Sequence, residues 1–320
     1  MEKLDLKDKK ILYQLDLNSR QSLSKIGKKV KLPKNVVAYR INRLKQIGII
    51  KNFYTVVDAS KLGYISLRLY VAFQYTTPLI EKEIIDYFTK NKYTYWVGSR
   101  EGEYDLTIIT WVKNVNEFYS FWESALKKYR DNIQNEKLSL YVVLFHYRYS
   151  YLINDSKDRA KFEITGGGKE VSVDELDFQI LKIIAPNARI NITEIAEKLN
   201  STPTIINYRI KKLVKFGIIQ GFRVNIDFSK LGYHYFKVDV YLKDYNRRNE
   251  IMDYIKFNPN LIYINQTVGF ADLEMEFHVE SLEKLHEIIK DLVVKFSTVI
   301  KNCKYFNISK VHKLHYMPEE

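Results

Sequence analysis

Apolar positions along this chain change their period twice, and the whole change then happens again. Leu4, Asp8, Ile11, Leu12 and Leu15 fall at helical spacing, and Leu23, Ile26 and Val30 share one face of a short second helix over Ser22 to Val30. After the turn Lys31-Leu32-Pro33, a third helix over Lys34 to Gln46 carries Val37, Ile41 and Leu44 on one stripe and ends near Gly48. Three short helices with a tight turn before the third predict a helix-turn-helix unit. From Leu67 the period falls to two: Leu67, Leu69, Val71 and Phe73 alternate with Arg68, Tyr70, Ala72 and Gln74, which predicts a half-buried strand. A helix (Ile80 to Lys90), two strands about a glycine turn (Tyr95 to Ser99, Tyr104 to Trp111), a longer helix (Val115 to Tyr129) and a last strand (Leu138 to Tyr149) follow. The order βαββαβ predicts a ferredoxin-like α+β sandwich, an antiparallel sheet with helices on one face.

The segment from Asp8 to Tyr64 returns without a gap as Asp177 to Tyr233, at an offset of 169, with 21 of 57 positions identical. The strand pattern returns too, as Phe236, Val238, Val240 and Leu242, followed by a helix (Arg248 to Phe257), strands (Ile262 to Thr267, Asp272 to Val279), a helix (Leu282 to Phe296) and a strand (Cys303 to Leu314). The chain therefore divides into helix-turn-helix units at 1–64 and 170–233, sheet units at 65–153 and 234–320, and a connecting stretch at 154–169. That stretch is polar and holds Gly166-Gly167-Gly168, so a flexible linker is expected; its Thr-Gly-Gly-Gly-Lys-Glu lacks the spacing of a phosphate loop.

Charge adds a partner to this picture. The formal net charge is +13, and 1–64 alone carries 15 Lys+Arg against 5 Asp+Glu, a balance of +10, whereas 170–233 carries 9 against 7, or +2. A polyanion bound chiefly by the first unit is expected. The single cysteine, Cys303, excludes an intrachain disulfide framework, and no apolar run approaches a membrane span or signal peptide, so a cytoplasmic protein without membrane contact is expected.

The strings Arg40-Ile41-Asn42-Arg43-Leu44 with Gly48-Ile49-Ile50, Arg209-Ile210-Lys211-Lys212-Leu213 with Gly217-Ile218-Ile219, the paired Asn18/Arg20 and Asn187/Arg189, and the twice-used Ser-Lys-Leu-Gly-Tyr resemble the Lrp/AsnC (feast/famine) transcriptional regulators. The resemblance spans nearly the entire chain, twice over. It implies double-stranded DNA as a partner, self-association through the sheet units, and a small effector, often an amino acid.

With Val37, Ile41 and Leu44 turned inward, Lys34, Asn35, Ala38, Tyr39 and Asn42 face outward, and Arg43 and Lys45 lie near the DNA backbone. Lys34 and Asn35 are the base-reading candidates, since Lys suits guanine and Asn suits adenine. A solvated helix face is the plain alternative. In the second copy the candidates are Thr204, Asn207, Tyr208, Arg209, Lys211 and Lys212. Arg40 and Arg209 hold one slot in both copies, for phosphate contact or for bracing. Thr202 offers an N-cap before Pro203, whereas Pro33 stands where a capping side chain belongs, so the first recognition helix starts less sharply.

The resemblance places the effector at the turn between the second and third strands. The matching residues are Gly102, Glu103, Tyr104 and Asp105, and Gly269, Phe270, Ala271 and Asp272, where a carboxylate would hold an ammonium group. A hairpin turn with a solvated Asp is the alternative.

Siroheme decarboxylases resemble these regulators in architecture and form the competing class. Their His-Asn-Tyr and Tyr-Asn-Leu-Trp contexts stand here as Tyr95-Trp96-Val97-Gly98-Ser99-Arg100 and Tyr104-Asp105-Leu106, with no histidine near, and His278 and His286 have no evident partner in sequence. No catalytic motif, metal-ligand spacing or dinucleotide loop is present, so neither an enzyme nor a cofactor is expected. The tyrosines Tyr141, Tyr147, Tyr149 and Tyr151 suit either base stacking on RNA or cover for a sheet face or interface. Pairing of the sheet units within one chain and between chains both remain open.

Overall fold

The computed structural model describes residues 4–155, 159 and 161–319. The first helical unit is α1 (Leu6–Leu17), α2 (Leu23–Val30) and α3 (Lys34–Gln46). Asp5 and Asp8 form a reciprocal capping box at the start of α1, and Ser22 caps α2. Val37, Ile41 and Leu44 are buried with Ile11, Leu12, Leu15 and Ile26, so the apolar stripe alone sets the rotation of α3 about its axis.

Next comes β1 (Ile50–Val57), a strand that the helical reading of this stretch leaves out. Its counterpart in the second half is β7 (Ile219–Ile226), and the two pair with each other, antiparallel, with Phe53 opposite Val224. Each strand thus leaves its own helical unit and packs on the other. Thr55 donates its backbone N–H to the Ala185 carbonyl at 2.9 Å, and Ser19 donates to Phe222 at 2.8 Å. Val57, Ala59, Leu62 and Tyr64 lie in the core of the second helical unit, α6 (Glu175–Ile184), α7 (Ile192–Lys198) and α8 (Pro203–Lys215).

The first sheet unit is β2 (Ile65–Phe73), α4 (Pro78–Lys90), β3 (Thr94–Glu101), β4 (Leu106–Val112), α5 (Val115–Tyr129) and β5 (Ile133–His146). The second is β8 (His234–Leu242), α9 (Arg248–Ile255), β9 (Leu261–Val268), β10 (Leu273–Val279), α10 (Leu282–Lys295) and β11 (Ile300–Leu314). The βαββαβ order is that of the sequence pattern, but each last strand is long enough to serve both halves. β5 pairs β2 from Ile133 to Tyr141 and β9 from Leu140 to His146; β11 pairs β8 from Ile300 to Asn307 and β3 from Asn307 to Leu314. Eight strands thereby close into a ring in the order β2, β4, β3, β11, β8, β10, β9, β5. Within this chain the two sheet units therefore pair with each other.

That closure corrects the half-buried strand. On β2 and β8 the alternate face that reads as polar is also enclosed, leaving Arg68 1%, Tyr70 0%, Lys237 2% and Asp239 2% exposed, because the other half's sheet covers it. The connecting stretch is corrected as well. Its residues Glu163–Thr165 form β6 along the end of β5, Gly166 donates its N–H to Asp58 at 2.9 Å, and buried Glu163 pairs with Arg148. Its described part is docked; residues 156–158 and 160 of the expected linker lie outside the described residues.

One buried network joins the halves. Asp16 of α1 and Arg223 of β7 are both fully buried and pair at 2.6 Å, while Arg223 also donates to the Tyr147 carbonyl at 2.8 Å. The Asp16 carboxylate further accepts the Tyr149 N–H at 2.8 Å. At the equivalent place in the duplicated scheme, residues 185 and 54 are alanine and tyrosine, so this ion pair exists on one side only.

Candidate nucleic-acid interface and interior cavity

The first recognition helix begins at Lys34 with Pro33 as an uncapped N-cap; the second begins at Pro203, with the Thr202 hydroxyl accepting the Ile205 N–H at 3.3 Å. Lys34, Asn35, Tyr39, Asn42 and Lys45 are exposed on α3, and Ala38 is half-exposed. On α8, Thr204, Tyr208 and Lys211 are exposed and Asn207 is half-exposed. Tyr39 and Tyr208, the same slot in both copies, are 68% and 65% exposed, and nothing in the core requires a ring there.

The arginines behave differently. Arg40 pairs with Asp5 at 2.7 Å and Asp8 at 2.8 Å, and Arg43 pairs with Asp8 at 2.7 Å. Arg209 likewise holds Asp174 and, at 3.2 Å, Asp177, while Lys212 stands 3.6 Å from Asp177. Of the two roles open for Arg40 and Arg209, the geometry supplies bracing: they tie each recognition helix to the N-terminus of the unit's first helix. These charges are already matched, so they weigh less on phosphate than a count of basic residues implies.

A difference that residue counting spread over the whole unit is concentrated on the helix before the turn. α2 and its end expose Lys25, Lys28, Lys29 and Lys31; the equivalent positions of α7 hold Glu194, Glu197, Lys198 and Asn200. Two ammonium groups in one copy are two carboxylates in the other. In a docked helix-turn-helix this is the helix that crosses the DNA backbone.

At the sheet turns, Gly102 and Gly269 take positive φ, 137° and 103°. The Asp105 carboxylate accepts the Phe73 N–H at 2.7 Å, and Asp272 accepts the Leu242 N–H at 2.7 Å, so each carboxylate closes the end of its own unit's first strand. Tyr104 is buried, its ring 5.6 Å from that of Tyr70, with the Arg100 guanidinium over it.

Inside the ring of strands two cations are charge-matched and almost dry, while buried Arg100 lies against the rings of Tyr70, Tyr104 and Phe306. Arg68 pairs with Glu274, and Lys237 with Asp239 and, at 3.1 Å, with Glu274. Burial opposes ionisation of Glu274, but the Arg68 guanidinium and Lys237 ammonium hold it down at about 2. Between this cluster and the β1–β7 pair lies a cavity of about 600 Å³. Its wall includes Tyr95 stacked on Trp111 at 3.8 Å and Tyr54 stacked on Tyr316 at 4.6 Å.

Two histidines that the sequence left without partners or unremarked face the same cavity. His278 meets the Tyr151 hydroxyl at 3.0 Å and stacks on Phe228 at 4.2 Å; His146 meets the Thr165 hydroxyl at 2.9 Å. Burial, reinforced by the Arg223 guanidinium, pushes both imidazoles down to about 3, so both are neutral at neutral pH. His286 meets the Tyr305 hydroxyl at 2.9 Å on the exterior. Tyr147, Tyr149 and Tyr151 are buried and Tyr141 faces the cavity, which corrects their candidacy as a base-stacking platform: none presents a ring to an external strand. Among the described residues no metal-ligand cluster occurs and no helix is long and apolar enough to cross a membrane.

Comparison with known proteins adds four findings. A winged helix-turn-helix DNA-binding family model matches residues 4–51 and again 173–220. An uncharacterized HTH-type transcriptional regulator of Pyrococcus abyssi is 42% identical over 143 residues, covering 44% of this chain and 94% of that protein. The HTH-type transcriptional regulator LrpB of Bacillus subtilis is 28% identical over 123 residues, 38% of this chain and 83% of LrpB. Among solved structures, the siroheme decarboxylase NirDL superposes with a TM-score of 0.66 over 98% of this chain and 94% of its own, at 13% identity, a likeness of fold.

Proposed function

Since the chain belongs to the Lrp/AsnC family of helix-turn-helix transcriptional regulators, in tandem-duplicated form, we propose that it binds double-stranded DNA as a self-contained pseudo-dimer whose first recognition helix dominates the contact. Base reading falls to Lys34 and Asn35, flanked by Ala38, Tyr39 and Asn42, with Lys45 toward phosphate; Thr204, Asn207, Tyr208 and Lys211 form the weaker second face. Arg40, Arg43, Arg209 and Lys212 position these helices through their carboxylate partners. The observation that carries the asymmetry is the exchange of Lys25 and Lys28 for Glu194 and Glu197 on the helix beside phosphate. Its test is the salt dependence of duplex binding by the Lys34→Ala/Lys45→Ala and Lys211→Ala/Lys215→Ala variants. Equal losses in the two would overturn it.

The effector reading places an amino acid or similar small molecule at Gly102, Tyr104 and Asp105 and at Gly269 and Asp272. It rests on the family resemblance and on the two positive-φ glycines that let a ligand approach backbone. Calorimetry with the common amino acids tests it, and heats no larger than dilution would remove it.

A second reading, a siroheme decarboxylase, is favoured by the full-length likeness to NirDL. The interior weighs against it. A polycarboxylate tetrapyrrole needs surplus cations, whereas Arg68 and Lys237 are matched by Glu274 and Asp239, which leaves Lys313 on the wall and buried Arg100 to meet several carboxylates. Tetrapyrrole absorbance that copurifies with the chain, followed by loss of carbon dioxide from added siroheme, would reverse the order.

A further inference from the structure

We infer that the cavity between the two sheets is a binding site for an uncharged, flat aromatic molecule bearing hydrogen-bonding groups, distinct from the turn site at Gly102 and Gly269. The volume, about 600 Å³, falls in the range of pockets that enclose a drug-sized ligand. A void of this size lined by an unbroken apolar wall would only be a packing defect. This wall is different.

Among the described residues, four polar side-chain atoms of its lining residues have no hydrogen-bond partner: the Tyr70 hydroxyl, the Thr107 hydroxyl, Nδ1 of His146 and Nε of Arg68. Tyr70 is wholly buried and Thr107 is 4% exposed. Buried donors and acceptors are normally satisfied, so four orphans on the residues of one wall mark a place where something else completes them. His146 is neutral and its Nε2 is engaged by Thr165, which leaves Nδ1 for the occupant.

The shape of the ligand follows from the aromatic walls. Tyr95 and Trp111 lie stacked with 15° between their planes, and Tyr54 and Tyr316 with 22° between theirs. Trp96 lies so closely over Gly98 that a Cβ there would stand 2.2 Å from the ring. Flat surfaces of this kind favour a flat guest, whose π-face stacks where an aliphatic one would leave gaps.

Charge decides the remaining property. The two cations beside the orphans are already matched, Arg68 by Glu274 and Lys237 by Asp239 and Glu274, while the Lys313 ammonium is held by a neutral group, the Asn91 carbonyl, at 2.7 Å. Glu276 receives the Tyr235 hydroxyl and, at 2.6 Å, the Asn265 amide, and burial pushes its carboxyl up. A charged guest would enter low-dielectric surroundings with no partner, which is costly. An uncharged one meets no such penalty.

The test titrates the full chain with N-phenyl-1-naphthylamine, a neutral fluorescent amine, and with its anionic counterpart 8-anilino-1-naphthalenesulfonate. Trp96 and Trp111 are on the wall, so saturable quenching of tryptophan emission with rising dye emission is expected for the neutral dye, and at least about tenfold weaker binding for the sulfonate. Thr107→Phe, which places a ring in the space, should weaken the neutral dye about tenfold or more while leaving duplex DNA binding in place. Should Thr107→Phe fail to fold, energy transfer from tryptophan to dye in the unaltered chain remains decisive. Absence of saturable transfer, equal or preferred binding of the sulfonate, or a folded Thr107→Phe with unchanged affinity each overturns the inference and assigns the orphan groups to ordered water.

Discussion

The lysines of α2 offer the sharpest quantitative test of how this chain grips DNA. Lys25 and Lys28 are exposed one turn apart on the helix that precedes the recognition helix, and among the described residues no carboxylate pairs with either. Replacing both with alanine removes up to two phosphate contacts. Each phosphate neutralised contributes about 0.9 to the slope of log K against log salt, so the double variant should show a slope shallower by about 1.8. Over a fourfold rise in salt, about 0.6 logarithmic units, the unaltered chain should then lose roughly tenfold more affinity than the variant does. Fluorescence anisotropy of a labelled duplex across a salt series reads this directly. The mirror experiment, Glu194→Lys/Glu197→Lys, should steepen the slope by a similar amount if the second unit touches the duplex. An unchanged slope in Lys25→Ala/Lys28→Ala would refute the placement of α2 against the backbone. A slope changed equally by Glu194→Ala/Glu197→Ala would refute the asymmetry.

Other expectations concern stability and assembly. Asp16→Ala leaves the buried Arg223 guanidinium with Glu163, 3.8 Å away and already paired with Arg148, as its remaining counter-charge, which should cost about 3 kcal/mol in urea unfolding; the double change Asp16→Ala/Arg223→Tyr, which installs the residues found at the equivalent positions, should cost less than the single one. His278 is held near 3 from an ordinary 6.5, so the unfolded chain takes up its proton first as pH falls, and stability present above about 6.5 drains away down to about 3. By pH 5 that is about 2 kcal/mol from this one group, and a His278→Phe variant should show a flatter acid limb in denaturant titrations at successive pH values. Residues 1–153 expressed alone should be dimeric by light scattering, because the face bearing Arg68 and Tyr70 is otherwise bare; a folded monomer would contradict the closed ring.

What was legible in the sequence is what each copy settles by itself. The bounds of α3 and α5 follow from a stripe of three or four apolar residues and from caps such as Asn114, whose side chain accepts the Glu117 N–H at 3.0 Å. What was not legible is whatever one copy settles for the other. β1 carries the β-branched and aromatic run Phe53 to Val57, a readable strand signal, yet nothing local says that its partner is β7. Arg68, Tyr70, Lys237 and Asp239 sit at the alternate positions of their strands and so read as a solvated face; only the second sheet turns that face into an interior. The cavity was invisible for the same reason, since its walls come from both halves. Arg43 read as a phosphate contact, and Arg40 as either a phosphate contact or a brace, because the carboxylates that claim them lie some 35 residues earlier in the chain, at the start of α1.

The ion pair of Asp16 with Arg223 occurs once where the architecture offers two places for it. In an assembly of identical subunits every contact is written twice, and a change that helps one copy of an interface is imposed on the other. Joining the copies end to end lifts that constraint, and this chain has used the freedom both in its buried joint and on its basic surface. It is in effect a heterodimer that never has to find its partner. An ordinary twofold reader is indifferent to which way round a palindrome lies, but two unlike reading heads on one body have a left and a right. If both heads touch the duplex as proposed, the DNA site that suits them best has a direction as well.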